Sequence, residues 1–176
     1  MNPARNWTSL PPRNRRLALA VLLAAPLLYV AAGAGLAEVK KHGSLFFDQQ
    51  RIACLPWGLY AGTYDTGEIA RGELVAFRVK GIPPMKDGSV VVKIAAAREG
   101  DVVDIAQGVV RVNGNVLGDV RYGARTLNKP VTAWDTHYTV GKNEYFMFGS
   151  EYRSYDSRYW GLIKGDQIVA KMLWVL

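Results

Sequence analysis

One cysteine, Cys54, and two histidines, His42 and His137, are the only thiol and imidazole side chains the sequence contains. A single thiol closes no intramolecular disulfide and builds no multi-cysteine zinc site. Two isolated histidines give a His-rich metal centre too few ligands, so neither metal nor cofactor is expected. Charged residues are only 21% of the 176 positions and apolar residues 49%, which excludes a disordered, self-repelling chain. Collagen-like and coiled-coil compositions are absent as well.

What the chain does have in excess is positive charge, +7 in total, and its placement decides its meaning. Residues 1–51 hold seven basic and two acidic side chains, whereas residues 52–176 hold fifteen basic and thirteen acidic ones. A nucleic-acid-binding domain carries its charge as a patch on the folded body. Here the excess flanks an apolar run, so nucleic acid is not an expected partner.

That run is Leu17 to Leu36, twenty residues without a charge. At about 1.5 Å per residue it matches a hydrocarbon core roughly 30 Å thick, and a helix in lipid tolerates Pro26 as a kink. Ala32-Gly33-Ala34 and Gly35-Leu36-Ala37 both fit a small-x-small cleavage pattern. The run is nevertheless longer than the roughly 7–15 residues of a signal-peptide core, so it reads as a retained anchor. Arg13, Arg15 and Arg16 directly before it place the N-terminus in the cytoplasm by the positive-inside rule. The expected organisation is a cytoplasmic tail over 1–16, a transmembrane anchor over 17–36 and an exported domain over 37–176.

Beyond the anchor, short apolar or alternating runs are separated by turn residues, the pattern of strands. Strands are expected at Leu45–Phe47, Leu74–Val79, Ser89–Ala96, Val102–Ile105, Val109–Val112, Tyr145–Phe148 and Gln167–Trp174. Asn113-Gly114 between two apolar stretches predicts a hairpin. Gly123–Gly141 reads as a long loop. The fold class is mainly β, an antiparallel and barrel-like domain behind one N-terminal transmembrane helix.

Three stretches can carry chemistry. Cys54 opens Cys54-Leu55-Pro56-Trp57-Gly58-Leu59-Tyr60, and a thiol on a turn is a competent nucleophile. A lone cysteine is equally a small buried hydrophobe. Lys93 sits in Val90-Val91-Val92-Lys93-Ile94-Ala95-Ala96-Ala97. Facing out, it is an ordinary solvated lysine; facing in, desolvation favours the neutral amine that serves as a general base. Alternation leaves its face open, because the residues on both sides are apolar. The third stretch, Gly149 to Gly161, is dense in small hydroxyls, with Asp156 and Arg158 spaced to pair and Ser154 or Ser157 able to meet an amine. A solvated polar loop has the same composition.

Taken in order, Cys54-Leu55-Pro56, Arg71-Gly72-Glu73-Leu74-Val75-Ala76-Phe77, Lys93 with Arg98-Glu99-Gly100-Asp101, and Ser154-Tyr155-Asp156-Ser157-Arg158-Tyr159-Trp160-Gly161 resemble the boxes of signal peptidase I. The first box, with Gly58 next but one after Pro56 and an aromatic beyond, resembles the conjugative-transfer (TraF-type) branch. The resemblance covers about residues 44–176. It implies a Ser–Lys-type peptidase at the outer face of the inner membrane, its catalytic domain in the periplasm. By position, Cys54 stands where the family has its nucleophilic serine, and Lys93 stands at the general base. Ser154 falls at the lysine-orienting serine, and Asp156 and Arg158 at the supporting pair. The dyad would then be Cys–Lys and the intermediate a thioester. Ile52 stands where the housekeeping enzyme carries an oxyanion-stabilising hydroxyl, leaving that task to main-chain N–H groups such as that of Cys54.

The resemblance also implies a membrane-inserted precursor as substrate, with small residues before the cut, in a shallow apolar site lined by Leu55, Trp57 and Val92. For the conjugative branch the substrate is a pilin precursor, matured by hydrolysis or by joining its new ends, with the bilayer and the conjugation machinery as partners. Two other readings stay open: a Cys–His peptidase using His137 with Asp135 nearby, and a non-enzymatic, membrane-tethered subunit of a secretion apparatus.

Overall fold

The computed structural model describes residues 12–48 and 53–176, which fall into two units, residues up to Lys41 and residues from His42 onward. The first unit is one helix, α1 (Pro12–His42), with Pro26 inside it. Its stretch Leu22–His42, 21 residues with every described side chain exposed, is long and apolar enough to cross a membrane. Residues 17–36 all lie within α1. The first eleven residues of the expected tail, and Ile52, fall outside the described residues.

The second unit is built almost entirely of antiparallel strands. In chain order these are β1 (Gly43–Phe47), β2 (Leu59–Thr63), β3 (Leu74–Arg78), β4 (Val90–Ala97), β5 (Val102–Ala106), β6 (Val109–Val112) and β7 (Asn115–Asp119). After a short helix, α2 (Arg121–Thr126), come β8 (Thr136–Thr139), β9 (Glu144–Phe148), the single turn α3 (Ser157–Trp160), β10 (Ile163–Lys164) and β11 (Ile168–Val175). A seven-stranded sheet runs β1-β2-β11-β3-β4-β9-β10, and a four-stranded sheet runs β7-β6-β5-β8. The expected mainly antiparallel β fold is thus present, arranged among the described residues as two sheets.

Two hydrophobic clusters meet at β4 and β9. Ala96, Ala97, Phe146 and Phe148 pack with Val103, Ile105, Val110 and Val112 of the smaller sheet. Val91, Ala95 and Met147 pack instead with Val75, Phe77 and Ile163. Burial does alternate along β4, with Val91, Lys93 and Ala95 buried, Val90 exposed and Val92 and Ile94 half-buried, but both faces carry apolar residues, so the sequence itself does not alternate. The Asn113-Gly114 turn joins β6 to β7 with both residues at positive φ, +50° and +79°, the geometry that favours Asn-Gly in a two-residue hairpin.

Gly123–Gly141 is not one loop. It holds part of α2, a 3-10 turn at Val131–Trp134 and β8, which pairs with β5. Docking supplies the missing local signal. A Cβ on Gly123 would lie 2.2 Å from the Tyr159 ring, and the Gly123 N–H donates to Tyr159 Oη at 3.3 Å, so the six-residue helix is held by its contact with the 149–160 segment. Leu45, Phe47 and Trp174 remain exposed; Leu45 and Trp174 pair with Ala61 from opposite sides of β2.

Candidate active site

Lys93 faces inward. On β4 it shares the parity of Val91 and Ala95, pairs with Val75 of β3, and is 0% exposed. Its Nζ donates to Ser154 Oγ at 3.3 Å. Among the described residues no carboxylate forms an ion pair with it. A buried amine is tolerated only when its polar hydrogens find acceptors, and the hydroxyl supplies one without adding charge.

Ser154 is itself held by close packing. A Cβ on Gly149 would lie 2.1 Å from Ser154 Oγ and 2.5 Å from the carbonyl oxygen of Cys54. Only glycine fits there, and the two oxygens are no further apart than those two distances together. Cys54 is 3% exposed, and its carbonyl accepts the Glu151 N–H at 3.2 Å. The main chain at Cys54 is thereby fastened to the segment that presents Ser154 to Lys93. Tyr60 closes the turn after Cys54 by donating from Oη to the Trp57 carbonyl at 2.6 Å. Burial first, then the neighbouring Asp48 and Cys54, push the Tyr60 phenol up to about 12, so it stays a neutral donor.

Asp156 and Arg158 form a buried ion pair beneath this segment. Asp156 Oδ1 and Oδ2 accept from Arg158 Nε and Nη2, both at 2.7 Å, a fork-to-carboxylate arrangement. Asp156 also accepts the Gly149 N–H at 2.9 Å and, as N-cap of α3, the Arg158 N–H at 3.2 Å. Arg158 donates from Nη1 to the Asp119 carbonyl at 2.9 Å, and its guanidinium lies 4.6 Å from the Phe148 ring centroid. Burial works against the guanidinium's charge, but the Asp156 carboxylate outweighs it and raises the Arg158 pKa. The pair thus fixes Gly149, and through Gly149 the positions of Ser154 and Cys54.

Not every expected residue joins this group. Ser157 Oγ accepts the Met147 N–H at 2.8 Å and is structural. The residues expected to line a substrate pocket, Leu55, Trp57 and Val92, differ in exposure. Leu55 is packed at 2% exposure and Trp57 is 37% exposed. Val92, one position before Lys93, projects from the other face of β4 because strand side chains alternate. His137 lies on β8 in the four-stranded sheet, its Nδ1 3.3 Å from Asp104 Oδ1. Gly149 and Tyr60 lay inside quoted segments without a role; only the fold reveals what each touches.

Residues 54–176 match the family described as signal peptidase, peptidase S26. The chain belongs to the S26 signal peptidase family. The match begins at Cys54 and takes in the whole Lys93–Ser154–Asp156–Arg158 group, so this S26 peptidase domain carries the site just described. No curated protein matches the chain. Among solved structures, a signal peptidase I from Enterococcus faecalis V583 is 22% identical, with a TM-score of 0.38, over 60% of this chain and 97% of that one.

Proposed function

We propose that this S26 family member is a membrane-tethered endopeptidase in which Cys54 is the nucleophile and Lys93 the general base. The observation that carries the reading is the fully buried Lys93 amine, 3.3 Å from Ser154 Oγ, in a shell closed by Gly149 and the Cys54 carbonyl. In the forward step the amine of Lys93 takes the Cys54 thiol proton. The thiolate sulfur bonds to the scissile carbonyl carbon, and main-chain N–H groups receive the negative oxygen. Collapse breaks the peptide C–N bond as Lys93 returns the proton to the leaving amine. A thioester remains, to be resolved by water or by an amine of the same substrate. Ser154 holds the Lys93 amine in place, and Asp156 with Arg158 holds the segment that carries Ser154.

The substrate class follows from the first box. Cys54-Leu55-Pro56-Trp57-Gly58 resembles the conjugative-transfer branch, which supports a membrane-inserted pilin precursor as substrate and the conjugation apparatus as the setting. The apolar helix and the basic Arg13, Arg15 and Arg16 before it support a single-pass protein of the inner membrane with its peptidase domain in the periplasm. Exposed Leu45, Phe47 and Trp174 support contact of that domain with lipid.

The test is the intact mass of a candidate pilin precursor co-expressed with the full chain or with its Lys93→Ala variant. Processing that requires Lys93 supports the peptidase. A product one water lighter than the linear cleaved chain identifies a cyclase, and the linear mass a hydrolase. Cleavage that survives Lys93→Ala overturns the Cys–Lys reading, and Cys54→Ser reports separately on the thiol.

A further inference from the structure

The segment from Val120 to Trp134 carries Arg121, Arg125 and Lys129 and no acidic residue. Arg121 and Arg125 are four positions apart on α2, so they share a helix face, where like charges repel. With Lys129 they line a cavity of about 570 Å³, together with Asn128 and the apolar Ala124, Pro130 and Val131. The partners of these cations leave most of the charge in place. Arg121 reaches Asp119 at 3.3 Å in an exposed pair, a weak kind of contact. Arg125 is held by the Tyr152 hydroxyl, and Lys129 stands 5.8 Å from the Trp134 ring centroid.

We infer that this cavity binds a phosphate group, free or carried by an anionic lipid headgroup. Guanidinium forks match phosphate oxygens two at a time, and the lysine adds a mobile point charge. The apolar lining residues suit the carbons of a glycerol ester, and the space exceeds what inorganic phosphate alone needs. A nucleic acid fits poorly, since the body outside this cavity is nearly charge-balanced and offers no track for successive phosphates. None of Cys54, Lys93, Ser154, Asp156 and Arg158 lines this cavity, and the assignment does not rest on the proposed peptidase chemistry.

The experiment follows the backbone amide resonances of Ala124 and Val131 in the full chain in neutral-detergent micelles. The probes are inorganic phosphate, dihexanoyl phosphatidylglycerol, dihexanoyl phosphatidylcholine and hexaglutamate. Saturable shifts with phosphate and phosphatidylglycerol are expected, weakened by added sodium chloride through screening. Tighter binding of phosphatidylglycerol assigns the headgroup as the source, and equal binding assigns free phosphate. The double variant Arg125→Gln with Lys129→Gln should bind about tenfold more weakly or worse, while Lys129→Arg should retain binding. If the double variant fails to fold, the salt dependence of the unaltered chain decides in its place. Equal response to phosphatidylcholine and phosphatidylglycerol, no response to either phosphate or phosphatidylglycerol, or response to hexaglutamate alone each overturns the assignment.

Discussion

Lys93 and Ser154 are 61 positions apart in the chain, yet the amine of one lies 3.3 Å from the hydroxyl of the other, both enclosed by protein. The amine reaches this hydroxyl from the middle of a strand, the hydroxyl from a turn. Neither has freedom to search for its partner. If Lys93 carries the proton, Lys93→Met should keep the fold and lower the rate of precursor cleavage by about 10²–10⁴-fold, the usual worth of a general base. Ser154→Ala should cost about tenfold and change the pH–rate profile, since it removes one hydrogen bond from the amine. An unchanged profile in Ser154→Ala would limit the serine to packing.

Gly149 is the tightest point of the site. Alanine there puts a methyl 2.1 Å from Ser154 Oγ and 2.5 Å from the Cys54 carbonyl, and neither neighbour is a loose side-chain end. Gly149→Ala should lose about 1–3 kcal/mol of stability, as overpacked positions do, and lose cleavage far beyond what the remaining folded fraction explains. Thermal unfolding and turnover measured on one preparation separate the two effects.

Removing one member of the Asp156–Arg158 pair strands a buried charge. Asp156→Ala should destabilise the body by about 3–5 kcal/mol, read by chemical denaturation. Arg158→Lys keeps the charge but loses the two-pronged contact and the reach to Asp119, so it should fall between the native chain and Asp156→Ala.

Acid should weaken the fold through Glu73. The Ala70 N–H at 2.8 Å, and then Lys171 at 3.1 Å, hold its carboxyl below the ordinary value of 4.5. A carboxyl lowered in the folded state binds fewer protons there than in the unfolded chain. Its contribution is complete above the unfolded value and disappears as pH falls through 4.5 toward the folded value. Glu144 behaves alike, chiefly through Lys164. The unfolding temperature should therefore drop below about pH 4.5, and Glu73→Gln should flatten that drop while lowering the neutral-pH plateau.

Much of this arrangement is legible before folding, but unevenly. Asn113-Gly114 announces its hairpin because the turn demands those residues. The apolar runs at β4 and β9 announce strands, yet conceal the orientation of Lys93, because the partly exposed face of β4, with Val90, Val92 and Ile94, is as apolar in sequence as the buried one. β2 escapes notice because Ala61 and Gly62 interrupt its apolar pattern. A Cβ on Gly62 would lie 2.6 Å from Met172 Cε, so that interruption answers a strand more than a hundred residues away. Thr136–Thr139 alternates too weakly to reveal β8. The roles of Ser154, Asp156 and Arg158 rest on the order of boxes, whereas that of Gly149 rests on proximity no local pattern encodes.

The strand order β2-β11-β3 has a consequence for biosynthesis. Cys54 precedes β2 and Lys93 belongs to β4, and the ladder joining those two regions passes through β11. A nascent chain that has emerged only as far as the helical turn at Ser157–Trp160 already holds every residue of the candidate site, but the sheet that would align them is split in two. Pairings this distant in sequence form late and slowly. The candidate site is therefore aligned through this sheet only once residues 168–175 have threaded between their neighbours.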